Sequence, residues 1–203
     1  VRMLRYPGGT VGDHFIWNNP SAGYFSVGSA DTIITPAQFI TICRAIGAEP
    51  IFQVNTMSVD RTENRINPTR IESIRRGAKR AADWVADANI SNSWNVKYWE
   101  IGNETWVWLF GNEYAQYVAE YSMAMKAVDP NIKIIACGLS EKTRVFNPSP
   151  FFDFSKSDPS WILRTAVSNT PESWYQALFT GAKGSFDYIA PHPYLSSTNQ
   201  AGN

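Results

Sequence analysis

The chain has 203 residues, of which 44% are hydrophobic, and its 18 basic and 18 acidic side chains cancel. This length and composition predict one folded domain with a sizeable core rather than a disordered segment. A net charge of zero provides no overall field that would recruit nucleic acid or an anionic membrane surface. A neutral partner therefore fits better.

Cysteine and histidine are scarce in this chain. Its two cysteines are Cys43 and Cys137, and its two histidines are His14 and His192. These numbers are too small for a disulfide framework or a His-rich metal cluster, and no Cys-x-x-Cys spacing occurs. No apolar run approaches the roughly 18 residues of a membrane span. We therefore expect no metal, no cofactor and no membrane partner.

Short apolar runs alternate with amphipathic segments along the chain. The runs predict strands at residues 1–6, 49–55, 96–104, 132–138 and 186–191. The amphipathic segments predict helices at residues 35–46, 112–128, 161–166 and 172–179, and one that begins at Asn67-Pro68 or at Thr69 and continues to Ala88. Residues 10–34 and 139–159 combine polar and aromatic residues with Gly or Pro, which predicts loops. Val1 already lies in the first run, without an initiator Met or signal segment, so we expect sequence to be missing upstream.

Two helices carry further local signals. Thr35 predicts an N-cap, followed by Pro36 at the first helical position and by Gln38 as the partner in a capping box. Asn112 predicts the cap of the third helix. The apolar face of the first helix is predicted to contain Phe39, Ile40, Ile42, Cys43 and Ile46.

The outer face of the second helix is basic. Its cations are Arg70, Arg75, Arg76, Lys79 and Arg80. A nucleic-acid patch is one interpretation, but no aromatic residue is interleaved and the net charge is zero. A solvated helix face is therefore favoured, and we expect no nucleic-acid partner.

Polar side chains stand at the C-terminal ends of most predicted strands: Arg5, Asn55, Asn103 with Glu104, and His192 with Tyr194. The strands are near-continuous apolar runs, which is typical of a parallel sheet covered on both faces. Right-handed crossovers leave a doubly wound sheet or a (β/α)8 TIM barrel. The polar strand ends favour the α/β barrel, whose mouth gathers functional groups from many strands. No Gly-x-Gly-x-x-Gly follows a strand, which removes the main support for dinucleotide binding.

The third strand ends in Gly102-Asn103-Glu104, and Trp106 follows. A carboxyl group can donate a proton to a glycosidic oxygen, a neighbouring amide can hydrogen-bond a sugar hydroxyl, and an indole can stack on a sugar face. The alternative is a buried strand followed by a polar turn, in which Glu104 is an ordinary charge near a helix N-terminus.

The ordered set of motifs resembles the clan A retaining glycoside hydrolases, and within them the family-51 α-L-arabinofuranosidases. The matching pieces are residues 4–9 (Leu-Arg-Tyr-Pro-Gly-Gly), 47–50, 54–55, 96–104, 125–130 and 187–194. In this family the Asn-Glu pair ends the fourth barrel strand. The resemblance thus implies that residues 1–203 are the central part of one catalytic barrel, roughly strands 2 to 6. Strands 1, 7 and 8, with the nucleophile on strand 7, would be absent.

The resemblance also implies roles for individual residues. Glu104 would be the general acid/base, and Asn103 would bind the sugar 2-hydroxyl. Arg5 and Tyr194 would lie near the nucleophile, and His192 would line the pocket. Asn55 and Trp106 complete the predicted substrate-binding set. Thr10 departs from the family, whose members often have Asn there, so the sugar contact at this position is not carried over.

Two functions follow as expectations. The first is a retaining glycosidase acting on α-L-arabinofuranosides or a related polysaccharide, inactive as this chain alone because one carboxylate is missing. The second is a hydrolase-derived structural or carbohydrate-binding protein, suggested by the aromatic 139–159 segment. Partners would be the carbohydrate and either the remainder of the barrel or a second copy of the chain. Secreted and intracellular locations both fit.

Overall fold

The computed structural model describes residues 2–19, 34–57, 71–107, 109–139 and 170–192. Five strands form one sheet: β1 Arg2–Tyr6, β2 Ala48–Val54, β3 Tyr98–Ile101, β4 Lys133–Gly138 and β5 Tyr188–Pro191. All neighbouring pairs are parallel, and the strand order is β1-β2-β3-β4-β5. A doubly wound sheet reverses its strand order at a switch point, whereas a barrel keeps its strands in chain order. The prediction of a barrel is confirmed.

Helices follow the strands in chain order. They are α1 Gly9–Gly12, α2 Pro36–Ile46, α3 Ile71–Val85, α4 Gly111–Val128 and α5 Pro171–Gly181. The longer helices α2 to α5 lie on one side of the sheet, whereas the one-turn helix α1 contacts the Gln53 side chain on the other face. A π-helical turn, Ala86–Ser91, extends α3. Helix α3 packs against α4, and α4 packs against α5, whereas α2 packs against β1 and β2. Residues 10–12 of the one-turn helix α1 belong to the segment that was predicted to be a loop.

The predicted cap of α2 is confirmed, but part of its predicted face is wrong. The Gln38 backbone N–H donates to Thr35 Oγ1, and the Thr35 N–H donates to Gln38 Oε1. Ile42 and Ile46 are exposed, whereas Phe39, Ile40 and Cys43 are buried. Ile42 lies about 100° around the helix from Cys43, and Ile46 is the last helical residue, so both fall outside the packed stripe.

The start of α4 also differs from the prediction. The helix begins one residue before Asn112, at Gly111, and its N-cap is Phe110. The Glu113 carboxylate accepts the Phe110 backbone N–H at 3.0 Å, which is the contact that the third helical residue makes in a capping box.

An aromatic layer joins the sheet to the helices. Phe52 of β2 stacks on Trp84 of α3 at 4.7 Å between ring centroids, and Trp99 of β3 meets both rings edge-on. Tyr6 of β1 stacks on Phe39 of α2 at 4.9 Å. Each of these side chains is buried, so this layer forms much of the core between sheet and helices.

Strand register places a set of polar residues on the opposite face of the sheet. Gln53 pairs with Glu100, and Glu100 pairs with Ile135. Side chains two positions apart on one strand share a face. The same face therefore carries Arg5 of β1, Cys137 of β4 and, directly after β5, His192. This face points away from the helices, which is the interior side of a barrel.

Several predictions fall outside the described residues: the helix at 161–166, most of the aromatic loop at 139–159, Arg70 and Tyr194. Within the described parts, no helix combines the length and the apolar character needed to cross a bilayer. Cys43 and Cys137 are both buried free thiols on different elements.

Candidate active site

The site is built on a sharp turn at the C-terminal end of β3. Gly102 has φ 74° and Glu104 has φ 46°, a left-handed conformation that is uncommon for a residue with a side chain. A Cβ on Gly102 would lie 2.5 Å from Thr105 Cγ2 and 2.8 Å from Thr56 Oγ1. The turn therefore needs glycine for both its backbone angle and its close packing.

Two side chains from other parts of the chain hold this strained turn. The Asn103 backbone N–H donates to Asp13 Oδ1 at 2.9 Å. The Glu104 backbone N–H donates to Cys137 Sγ at 3.1 Å. Thr56 Oγ1 also donates to Asp13 Oδ1, at 3.0 Å. The surrounding structure thus fixes the direction in which Asn103 and Glu104 leave the sheet.

Glu100 is the central charge of the site. Its carboxylate is 2% exposed, and it accepts a hydrogen bond from Arg5 Nε and lies 3.3 Å from His192 Nε2. Arg5 also donates from its terminal nitrogen to Asn103 Oδ1 at 3.0 Å. A buried carboxylate is tolerated only where cations and hydrogen bonds compensate it. Arg5 and His192 supply that compensation here.

His192 lies between the two glutamates. Its Nε2 faces Glu100 Oε1, and its Nδ1 lies 3.6 Å from Glu104 Oε1. Burial alone lowers the pKa of His192, but its contacts with Cys137, Glu100 and Glu104 outweigh that effect and raise the pKa to about 11. The edge-on Trp106 ring, 5.4 Å away between centroids, packs against the imidazole. His192 is therefore an imidazolium at neutral pH, held between two carboxylates.

Asp13 is a second buried carboxyl group beneath the turn. Burial raises its pKa well above the usual value, and its hydrogen bonds from the Asn103 N–H and Thr56 oppose that rise only in part. In its neutral form Asp13 still accepts both hydrogen bonds through Oδ1. The neutral form, which burial favours, can therefore support the turn through the same two hydrogen bonds.

The structure brings together five of the predicted site residues: Arg5, Asn103, Glu104, Trp106 and His192. The Glu104 side chain is 23% exposed, and Asn103 is buried. Trp106 is 5% exposed and packs edge-on against Trp174 as well as His192, so most of its indole faces protein.

Asn55 has a different environment from the other predicted site residues. Its Nδ2 donates to the Phe15 carbonyl at 3.2 Å, and its Oδ1 accepts the Met57 N–H at 2.9 Å. Both ends of this amide thus fasten neighbouring backbone. Tyr194 lies beyond the described residues.

Sequence reasoning missed Glu100, Asp13 and Cys137. Glu100 carried a usable signal, because a carboxylate in the middle of a buried strand is rare unless it is paired. Glu100, Cys137 and His192 also offer donor atoms that all lie within 4.8 Å of one another, a group that could hold a metal ion.

Most of the chain that forms this site is similar in sequence to known proteins. A family model described as "Alpha-L-arabinofuranosidase 1 domain" matches residues 1–166. The chain is 26% identical over 160 residues to a probable alpha-L-arabinofuranosidase C of Aspergillus fumigatus, covering 68% of this chain and 30% of that protein. It is 27% identical over 164 residues to an intracellular exo-alpha-(1->5)-L-arabinofuranosidase of Acetivibrio thermocellus, covering 70% and 31%.

A solved structure extends the likeness beyond the matched sequence. The thermostable GH51 alpha-L-arabinofuranosidase of Thermotoga petrophila superposes with a TM-score of 0.54 at 23% identity, over 95% of this chain and 36% of that one. This similarity supports the barrel fold. The chain spans about a third of the length of the relatives that it matches.

Proposed function

This chain belongs to the family of alpha-L-arabinofuranosidase 1 domains, and from that premise we propose that it is the central part of a catalytic barrel that hydrolyses α-L-arabinofuranosidic bonds. The observation that carries the proposal is the pairing of Asn103 and Glu104 at the C-terminal edge of the sheet, beside Arg5 and His192. Catalytic groups of barrel enzymes occupy this edge.

Glu104 is the proposed proton donor to the glycosidic oxygen. Of the two glutamates around His192, Glu104 is partly exposed, whereas Glu100 is buried against Arg5 and His192. An acid must reach its substrate within hydrogen-bond distance, so the exposed group is the one suited to the task. The strained backbone at Glu104 fits this role, since such conformations concentrate at functional sites.

Asn103 is the proposed sugar ligand. Arg5 holds its Oδ1, and within the described residues no hydrogen bond uses its Nδ2. That amide N–H group is therefore oriented in advance to donate to a sugar hydroxyl next to the bond that breaks. Such contacts to the 2-hydroxyl strengthen in the transition state of glycoside hydrolysis.

The proposed mechanism is retaining and needs a second carboxylate. A retaining site places its two carboxyl groups about 5–5.5 Å apart. Glu100 is not suited to nucleophilic attack, because its oxygens face Arg5 and His192. We assign the nucleophile to a part of the barrel outside these 203 residues. This assignment is supported by the length of the relatives, of which the chain spans only about a third.

The test uses the full reading frame that contains these residues, beside the 203-residue chain alone. We expect the full protein to release 4-nitrophenol from 4-nitrophenyl α-L-arabinofuranoside and the 203-residue chain alone to release none. Proton NMR should show that the arabinose first released by the full protein keeps the α configuration. Turnover by the chain alone would overturn the external nucleophile. Binding of arabino-oligosaccharides by the full protein without any hydrolysis would favour the non-catalytic alternative.

A further inference from the structure

We propose that Glu100, Cys137 and His192 form a binding site for one thiophilic divalent cation of the Zn²⁺ class. The three residues lie on β3, on β4 and directly after β5, and their side chains share the interior face of the sheet. Metal binding goes beyond the proposed glycosidase function and does not depend on it.

The donor atoms are close to the arrangement that such a cation needs. His192 Nε2 lies 3.3 Å from Glu100 Oε1 and 4.0 Å from Cys137 Sγ, and all three donors lie within 4.8 Å of one another. Tetrahedral zinc with bonds of about 2.0–2.3 Å separates its ligand atoms by roughly 3.3–3.7 Å. A contraction of at most about 1.5 Å at the widest pair would close the site.

The surrounding contacts resemble an outer coordination shell. Metal-bound histidines commonly present their second ring nitrogen to a carboxylate, which fixes the ring orientation. In this protein His192 Nδ1 faces Glu104 Oε1 at 3.6 Å, while Nε2 is directed towards the other two donors. Arg5 engages Glu100 Oε2, so Oε1 is the oxygen that can turn to a cation.

Charge balance also permits a dication. Without metal, the guanidinium of Arg5 and the imidazole of His192 both contact the Glu100 carboxylate. Binding of M²⁺ would displace one proton from the His192 ring and one from the Cys137 thiol, and both protons pass to solvent. The net charge of the cluster stays the same. The Arg5 guanidinium therefore meets no additional positive charge when the metal binds.

The ligand set defines the class of metal. Thiolate and imidazole donors favour Zn²⁺, Co²⁺ and Cd²⁺, whereas Mg²⁺ and Ca²⁺ require sets of oxygen ligands. The Glu104 backbone N–H, which donates to Cys137 Sγ at 3.1 Å, would stabilise the thiolate. Three protein ligands leave a fourth position for water or a substrate oxygen.

Titration with Co²⁺ tests the proposal optically and without any assay of turnover. We expect the full protein to gain a thiolate-to-cobalt absorption band in the near ultraviolet, whose intensity saturates at one equivalent of Co²⁺. Addition of Zn²⁺ should abolish the band, and addition of Mg²⁺ should not. Cys137→Ser should remove the band, and His192→Gln should weaken Co²⁺ binding at least tenfold. Cys43→Ser is the matched control, because Cys43 is the other buried thiol and lies on α2.

Absence of the band in the wild type, its survival in Cys137→Ser or its loss in Cys43→Ser would overturn the proposal. X-ray absorption of the Zn²⁺-loaded wild type decides the question even if Cys137→Ser fails to fold. One sulfur with nitrogen and oxygen neighbours supports the site, and a shell without sulfur refutes it. If the full protein hydrolyses arabinofuranosides but binds no metal, the metal site is refuted and the proposed glycosidase function is not affected.

Discussion

The carboxylate of Glu100 and the imidazole of His192 lie 3.3 Å apart, although 92 positions separate them in the chain. Glu100 is buried, and Arg5 contacts its other oxygen. The Glu100 carboxylate thus contacts two cations, Arg5 and His192. Arg5 also contacts Asn103, and His192 also contacts Glu104. In the protein without metal, Glu100 therefore positions Arg5 and His192.

Replacing Glu100 with Gln should lower the pKa of His192. The wild-type ring, with a pKa of about 11, should remain protonated between pH 6 and pH 9. Loss of the Glu100 charge removes one of the contacts that favour the imidazolium, so the pKa moves towards the ordinary value near 6.5. NMR titration of the His192 ring, assigned by its absence in His192→Gln, measures this shift. An unchanged His192 titration in Glu100→Gln would show that Glu100 does not control the ring.

Replacing His192 with Gln should destabilise the fold more at low pH than at high pH. A pKa raised in the folded state means that the protonated ring stabilises the fold fully below its unfolded pKa of about 6.5. That contribution declines as pH rises from there towards the folded value of about 11. We expect a loss of about 2 kcal/mol at pH 6, the scale of charged hydrogen bonds, and a smaller loss at pH 10. Urea unfolding of both proteins at the two pH values gives the difference, and an equal loss at both would contradict the ion pairing.

Asp13→Asn should be tolerated, whereas Asp13→Ala should not. An amide keeps the Oδ1 acceptor for the Asn103 N–H and Thr56, while alanine leaves both buried donors without it, at a cost of roughly 1–3 kcal/mol.

The pH dependence of Asp13→Asn has a definite sign. Because burial raises the Asp13 pKa, ionisation costs the folded state stability once the pH exceeds the unfolded value near 3.9. The Asn variant should therefore gain stability relative to the wild type between pH 4 and pH 7. A relative loss over that interval, measured by chemical unfolding, would mean that Asp13 acts as a charged partner of Arg5.

Gly102→Ala should destabilise the protein by roughly 2–5 kcal/mol, the sum of a left-handed alanine and overpacking against Thr105 and Thr56. Gly184 is the matched control: its φ is 79°, and nothing lies within 4 Å of an added Cβ. Gly184→Ala should cost only the backbone term of about 1–2 kcal/mol. Thermal unfolding measures the stability loss of both variants. Equal losses would show that close packing against Thr105 and Thr56 does not contribute to the need for glycine at position 102.

Much of the fold follows from local patterns. The apolar runs locate all five strands that lie within the described residues, and the Thr35-Pro36-Gln38 signal locates the start of α2, because capping and strand periodicity act over a few residues. The π-helical turn Ala86–Ser91 was not predicted, since the apolar period of α3 continues through Ala88. Strand-end residues Arg5, Asn103, Glu104 and His192 were predicted for the site and lie together in it.

The rest of the site depends on register between strands, which no local pattern encodes. Glu100 looked like part of an apolar run, and only its pairing with Gln53 and Ile135 places it on the interior face. Cys137 looked like a small apolar strand residue for the same reason. Asp13 lay in a segment interpreted as a loop, and the turn at Asn103 is what defines its role.

The central claim is that Glu104 donates a proton to the leaving group, and the leaving-group dependence of Glu104→Gln tests it most directly. We expect kcat/KM for an arabino-oligosaccharide, whose leaving group needs protonation, to fall about 10³-fold. For the 2,4-dinitrophenyl α-L-arabinofuranoside, whose leaving group does not, we expect a fall of less than about tenfold in kcat/KM. Glu72→Gln, an exposed carboxylate on α3, serves as the control and should match the wild type. Equal losses on both substrates, or none on either, would contradict the assignment of Glu104 as the acid.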